Sequence, residues 1–290
     1  IRPCILHRES HLCESEYAPK PLTGAVVSGA ATLVTFGELT QCGRRGHNRL
    51  MQEAVPNLKP TPTDSPRLKK RLADFDTLSG AIDYAGDGET GYNFYSARGI
   101  LERRLTYKDL REQAQSMGRR LRGAGLKAGD RVALLAATSP EFLVLFFACQ
   151  YAGLIPVPMP LPTAFGRREA YIDQIKGQIT SSAARMVLGP QEFLPYVVEA
   201  AQGLAIALIG DLSAVTALPE GKGELTPGRV QDLSYIQYSS GSTRFPKGVM
   251  VTHASLMANC RGMNQFGIQT REGDRGMSWL PFFHDMGLVG

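Results

Sequence analysis

The chain has 290 residues, 43% of them hydrophobic and 20% charged, with a formal net charge of +5. That length can bury a sizeable core in one large or two ordinary domains, and the composition excludes a chain that is disordered throughout. The longest apolar run, 142–149, falls well short of the about 18 residues that a membrane-spanning helix needs, so no transmembrane segment is expected.

Five cysteines do not make a disulfide scaffold, and an odd count argues for reduced thiols in a cytoplasmic protein. A charge of +5 taken alone invites a nucleic-acid or membrane-surface reading. Its distribution argues otherwise. Residues 1–70 hold ten Lys and Arg against six Asp and Glu, whereas residues 71–290 hold 22 against 21. Residues 1–70 are also rich in proline, and no helical or strand period lasts there beyond a few residues. This segment reads as a poorly ordered basic extension. Within it, Cys4, His7, His11 and Cys13 are residue types that bind zinc, but their spacing matches no standard finger, and a chance cluster is the better reading. The uncharged stretch 24–37 lacks the basic flank and cleavage pattern of a signal peptide. The start at Ile1 and the end at Gly290 are expected to mark a fragment.

From about residue 71 the pattern changes. Residues 75–79 open a short helical stretch, and 92–95 are aromatic and strand-like. A long helix starts near Thr106, with Leu110, Ala114, Met117, Leu121 and Ala124 on one face, and Gly123, Gly125 and Gly129 end it. An alternation follows: strand 131–137, helix 140–151, strand 154–158, helix 167–180, strand 186–188, helix 192–201 and strand 204–209. Short apolar strands alternating with helices of about a dozen residues predict an α/β fold, with βαβ units on a mainly parallel sheet and helices flanking it. Residues 210–229 read as a loop, and 233–238 as a strand that runs into the most informative segment.

Residues 238–250 read Tyr-Ser-Ser-Gly-Ser-Thr-Arg-Phe-Pro-Lys-Gly-Val-Met. The hydroxyls of Ser239, Ser240, Ser242 and Thr243 can each donate to a phosphate oxygen, and Gly241 lets the backbone approach a ligand closely. Successive backbone N–H groups make an anion nest, Arg244 and Lys247 add positive charge, and Gly248 frees the exit turn. Lying between a strand and a helix from about His253, this is the context for a phosphate-cradling loop. It is not a P-loop of the Walker type, because Lys247 precedes Gly248 and no Ser or Thr follows the lysine. A serine-rich surface loop is the bland alternative; the Pro-Lys-Gly at fixed spacing after a strand argues against it.

Residues 238–249 resemble the signature loop of the adenylate-forming superfamily, the AMP-dependent synthetases and ligases. Residues 278–288, Ser-Trp-Leu-Pro-Phe-Phe-His-Asp-Met-Gly-Leu, resemble the next motif of that family. Arg244 in the loop, the His-Asp-Met-Gly of 284–287 and the stretch 75–98 make the fatty acyl-AMP ligase branch the nearest likeness, over residues 71–290. The resemblance implies a partial N-terminal adenylation domain. It also implies a reaction in which a fatty acid carboxylate and Mg²⁺-bound ATP give an acyl-adenylate and pyrophosphate. Ser239, Ser240, Gly241, Ser242, Thr243, Arg244, Lys247 and Gly248 would bind the nucleotide phosphates, with Lys247 and His284 as the catalytic residues and His284 as a wall of the carboxylate site. No metal ligand is assigned within the chain. The acceptor would be the thiol of an acyl carrier protein or polyketide synthase, or alternatively CoA.

The alternative for His284 is a histidine packed among Trp279, Phe282 and Phe283, and Asp285 reads as a cap for the next helix. His253 reads as a helix-start residue, and Cys149 and Cys260 as core. The family's adenine, ribose, hinge and C-terminal lysine elements are missing, so the chain is not expected to turn over alone. A basic nucleic-acid-binding protein is the reading from another class. It would need Lys and Arg clustered on one folded face with aromatics between them, which residues 71–290 do not offer.

Overall fold

The computed structural model describes residues 68–162, 167–239 and 246–289. Apart from residues 68–70, the basic extension and its Cys/His cluster lie outside the described residues.

The described chain opens with α1 (Leu78–Ala85), capped by Thr77, whose hydroxyl accepts from the Gly80 N–H. A hairpin follows, β1 (Gly91–Tyr95) against β2 (Leu101–Thr106), antiparallel. Then comes α2 (Tyr107–Gly123), capped by Thr106, whose hydroxyl accepts from the Asp109 N–H and donates to the Asp109 carboxylate. The predicted face of α2 is the buried one: Leu110, Ala114, Met117 and Leu121 are all in the core. Its end differs in detail from the expectation. Gly123 is the last helical residue, Ala124 is the C-cap, and the positive-φ position just beyond belongs to Gly125 at +90°.

The centre is a four-stranded parallel sheet of order β4-β3-β5-β6, built from β3 (Arg131–Leu135), β4 (Ile155–Met159), β5 (Ala184–Leu188) and β6 (Leu208–Gly210). Along β3 the side chains alternate between two cores. Val132 and Leu134 pack with α3 (Pro140–Ala152), while Ala133 and Leu135 pack with α4 (Arg168–Ser182) and α5 (Leu194–Ala200). Both faces are therefore covered, which is why these strands read as continuous apolar runs. Every residue of α3 except Glu141 is buried, because α2 covers the side that the sheet does not.

Three predicted elements change. The helix expected over 192–201 begins as a 3₁₀ turn at Gln191–Phe193 and becomes α5 only at Leu194, with Pro195 in the first turn, where a missing N–H costs nothing. The strand expected over 204–209 shrinks to β6: the Leu204 N–H turns back to Ala201, although Leu204 and Ile206 still pack on the core. The loop expected over 210–229 contains α6 (Leu212–Thr216), capped by Asp211 through its bond from the Ala214 N–H at 2.9 Å. The Ser213 hydroxyl and that N–H hold the Asp211 carboxyl below the usual carboxylate range.

The chain then forms β7 (Leu233–Tyr238) and β8 (Gly248–Thr252), an antiparallel hairpin, followed by α7 (His253–Gly262), a π-turn at Met263–Gly267, and α8 (Asp285–Leu288). β7 lies alongside β4, with Ile236 against Ile155 and Val157, yet no ladder joins the two strands. The sequence of β4 explains this. The Ile155 N–H bonds to Asp130 on the β3 side, so positions 156 and 158 turn their backbone nitrogens the other way. Both are proline and donate nothing. A buried polar pair fixes β7 on the helix side: the Gln150 amide donates to the Ser234 carbonyl at 2.8 Å, and the Ser234 hydroxyl donates back to Gln150 Oε1 at 3.2 Å.

Candidate active site

β7 and β8 form the stem of the hairpin whose tip carries the serine-rich loop. The stem runs from the Leu233–Thr252 pair to Tyr238 opposite Gly248. One step further, the Ser239 N–H donates to the Lys247 carbonyl at 3.0 Å, and the Ser239 hydroxyl reaches the same oxygen at 3.4 Å. Ser239 and Lys247 are thus brought together across the neck of the loop. Lys247 is exposed, and among the described residues its ammonium has no hydrogen-bond or ion-pair partner. Ser240, Gly241, Ser242, Thr243 and Arg244 lie outside the described residues.

Gly248 has a different role from the expected one. It is not at positive φ and opens no turn. A Cβ there would sit 3.0 Å from Ile236 and 3.4 Å from the Tyr238 ring, so the missing side chain makes room for its cross-strand neighbours. Tyr238 in turn anchors the stem to α4: its hydroxyl donates to the Gln178 carbonyl at 3.0 Å and contacts Ser181.

The second motif arrives beside the stem. Phe282 is buried and stacks on Phe142 of α3, with ring centroids 5.3 Å apart. Gln237 of β7 donates its amide to the Phe283 carbonyl. Gln237 and Phe283, 46 residues apart in sequence, therefore meet near the end of β7. Gly287 allows the tight fold of this segment, because a Cβ would come within 2.2 Å of the Pro281 carbonyl oxygen.

His284 is not a packed histidine. Its side chain is 48% exposed, and Trp279 is 73% exposed; the aromatic that carries the packing is Phe282. Asp285 is the first residue of α8 rather than its cap, and His284 holds the capping position. His284 Nδ1 lies 2.7 Å from Asp285 Oδ1, while the Met286 N–H is 2.9 Å from that carboxylate and 3.3 Å from Nδ1. The Met286 N–H at the start of α8 is thus within reach of both the His284 imidazole and the Asp285 carboxylate.

His253 is a helix-start residue, as expected, but fully packed at 2% exposure, and burial lowers its basicity against an opposing pull from Asp232. Cys149 is in the core, where burial pushes its thiol up, and Cys260 is partly buried. Two buried amides, Gln150 and Gln237, fix β7 to its neighbours and are not singled out by any motif. The available signal was a polar residue interrupting a buried apolar run.

The AMP-binding enzyme family matches residues 94–290. The chain belongs to that family. A protein of Caulobacter vibrioides named as an acyl-CoA synthetase is 49% identical over 231 residues, which is 79% of this chain and 40% of the relative. The long-chain-fatty-acid–AMP ligase of Mycolicibacterium smegmatis is 33% identical over 203 residues, 68% of this chain and 31% of the relative. Among solved structures, one from a study of fatty acyl-adenylate ligases of E. coli and L. pneumophila superposes with a TM-score of 0.72 at 44% identity, covering 76% of this chain and 40% of that one. The chain thus spans about two fifths or less of the length of these relatives. Among the described residues no helix is long and apolar enough to cross a membrane.

Proposed function

We propose that this AMP-binding chain is the nucleotide-phosphate side of a cytoplasmic enzyme that activates a fatty acid as its acyl-adenylate. The carboxylate oxygen attacks the α-phosphorus of ATP, the bond to the bridging oxygen breaks, and pyrophosphate departs with the charge. The loop is suited to stabilise that charge. Its hydroxyls, including Ser239 at the neck, donate to the β- and γ-phosphates, and Lys247 with Arg244 supplies positive charge where pyrophosphate forms. His284, beside Asp285, is read as a wall of the carboxylate site. The observation that carries this reading is the exposed Lys247 paired across the loop neck with Ser239, with the His284 segment tied to the same strand.

Mg²⁺ enters with the triphosphate. Among the described residues no cluster of His, Cys, Asp and Glu is built to hold a metal, so no step is assigned to it. Residues 71–290 are proposed as the adenylation-domain part and 1–70 as an extension outside it. An acyl-carrier thiol is the acceptor favoured by the likeness to AMP ligases. The Caulobacter relative's name favours CoA.

Calorimetric titration of the chain with Mg²⁺-bound ATP and with pyrophosphate tests the site: both bind, and Ser239→Ala and Lys247→Ala weaken both. Absence of binding to either ligand by the wild-type chain overturns the reading. Residues 71–290, grafted in place of the matching region of the Caulobacter relative, should then release pyrophosphate only when a fatty acid is present. Adding CoA or a carrier protein identifies the acceptor. The chain by itself, spanning about two fifths of that relative, should release none.

A further inference from the structure

We propose that Gln237 is a positioning residue that couples the phosphate loop to the His284 segment. The proposal rests on the reading of that loop as the phosphate site. Gln237 stands two residues before Ser239, and its Nε2 donates to the carbonyl of Phe283, the residue before His284. It is 8% exposed, on a strand whose neighbours Tyr235 and Ile236 are apolar and buried.

The contrast with Gln150 is instructive. Gln150 uses both ends of its amide on Ser234, a closed pair with nothing left over. Gln237 uses only one. Its Oε1 is buried with no hydrogen-bond partner among the described residues. A strand needing only apolar filling would not carry an amide here, since a buried unpaired carbonyl is costly. The amide is explained by the Phe283 carbonyl, which is brought to the β7 edge and needs a donor. Phe282 already holds the segment to α3 by stacking, so Gln237 is not what attaches it. What the amide adds is register: it fixes the height of residues 283–288 against the last pair of the stem. A shift of β7 on binding an anion at the loop is then passed to His284 through this hydrogen bond.

Hydrogen exchange of the ligand-free chain tests the tie. The amides of His284, Gly287, Leu288 and Val289 bond within the segment. In Gln237→Met they should exchange about tenfold faster, the equivalent of one ordinary hydrogen bond, while β3 and α3 stay unchanged. Unchanged exchange at 284–289 overturns the proposal. Gln237→Glu separates the bond from mere packing. Its carboxylate cannot donate to a carbonyl, but its protonated acid can. Protection of 284–289, corrected for intrinsic rates, should return as pH falls in this variant and not in Gln237→Met; failure to return counts against the proposal. If Gln237→Met does not fold, the Glu variant at two pH values decides.

The coupling has its own readout in Trp279, the one tryptophan in the chain, five residues before His284. Pyrophosphate should change its emission in the wild type. It should still bind Gln237→Met by calorimetry without changing the emission. An emission change preserved in that variant sinks the coupling. Failure of the wild type to bind pyrophosphate sinks the phosphate reading instead, and the tie is then judged on the exchange data.

Discussion

Helix α3 and strand β8 are opposite solutions to the same problem. α3 buries every residue but Glu141 between the sheet and α2, and its place is dictated by area removed from water. β8 exposes neighbouring residues on both of its faces, Val249 at 51% and Met250 at 68%, and is held by its backbone ladder to β7. Yet β7 and β8 are the stem of the loop proposed as the phosphate site. Apolar side chains are concentrated around α3, and the proposed phosphate chemistry sits beside a strand with no buried residue, as expected for a segment that must accept and release a charged ligand.

That contrast can be broken from the rigid side first. Phe142→Ala removes a ring that stacks on Phe282 and packs against Phe146, and should cost about 3–5 kcal/mol in urea unfolding, with the 282–288 segment losing protection. A loss below about 1 kcal/mol would mean that α3 is not the platform for the second motif. On the hairpin side the opposite split is expected. Lys247→Ala should leave the unfolding midpoint unchanged but weaken pyrophosphate binding about tenfold, equivalent to about 1.4 kcal/mol. A stability loss without an affinity loss would reverse the assignment. Away from both regions, Thr106→Ala removes the α2 cap and should cost about 1 kcal/mol with no effect on pyrophosphate affinity.

The smallest effect sharpens the boundary between the regions. His253 has its pKa lowered in the fold by burial, so below its unfolded value of about 6.5 the unfolded chain binds a proton that the folded chain resists. Stability should therefore fall as pH drops from 7 toward 5, by less than about 1.4 kcal/mol per unit from this group. His253→Gln should flatten that slope relative to wild type in urea midpoints at the two pH values. An identical slope would show that the imidazole does not contribute.

The βαβ order was legible because apolar runs of strand and helix length alternate from 131 to 201, and burial on both faces of the sheet leaves that pattern little freedom. Strand β2 was not legible. Leu-Glu-Arg-Arg-Leu-Thr carries charge at its centre, and only pairing with β1 makes it a strand. Nor was α6, whose five residues are too few for a period and whose signal is the single capping Asp211. The loop motif and the His-Asp-Met-Gly motif were read from residue types, but the roles given to Gly248 and Asp285 shifted. Those roles depend on what stands across a strand or within one turn, not on composition.

An α/β chain, with a hydroxyl- and glycine-rich loop after a strand and a histidine motif some forty residues on, is readable from residue order, because periodicity and local residue chemistry are encoded in consecutive positions. That the two motifs share one strand follows from the fold alone. Gln237 reaching Phe283, Phe282 stacking on Phe142 and the prolines of β4 leaving β7 beside it without a ladder are contacts between segments distant in sequence. Hydrogen bonds and ring packing act over a few ångströms, so only the fold sets which residues come within that reach.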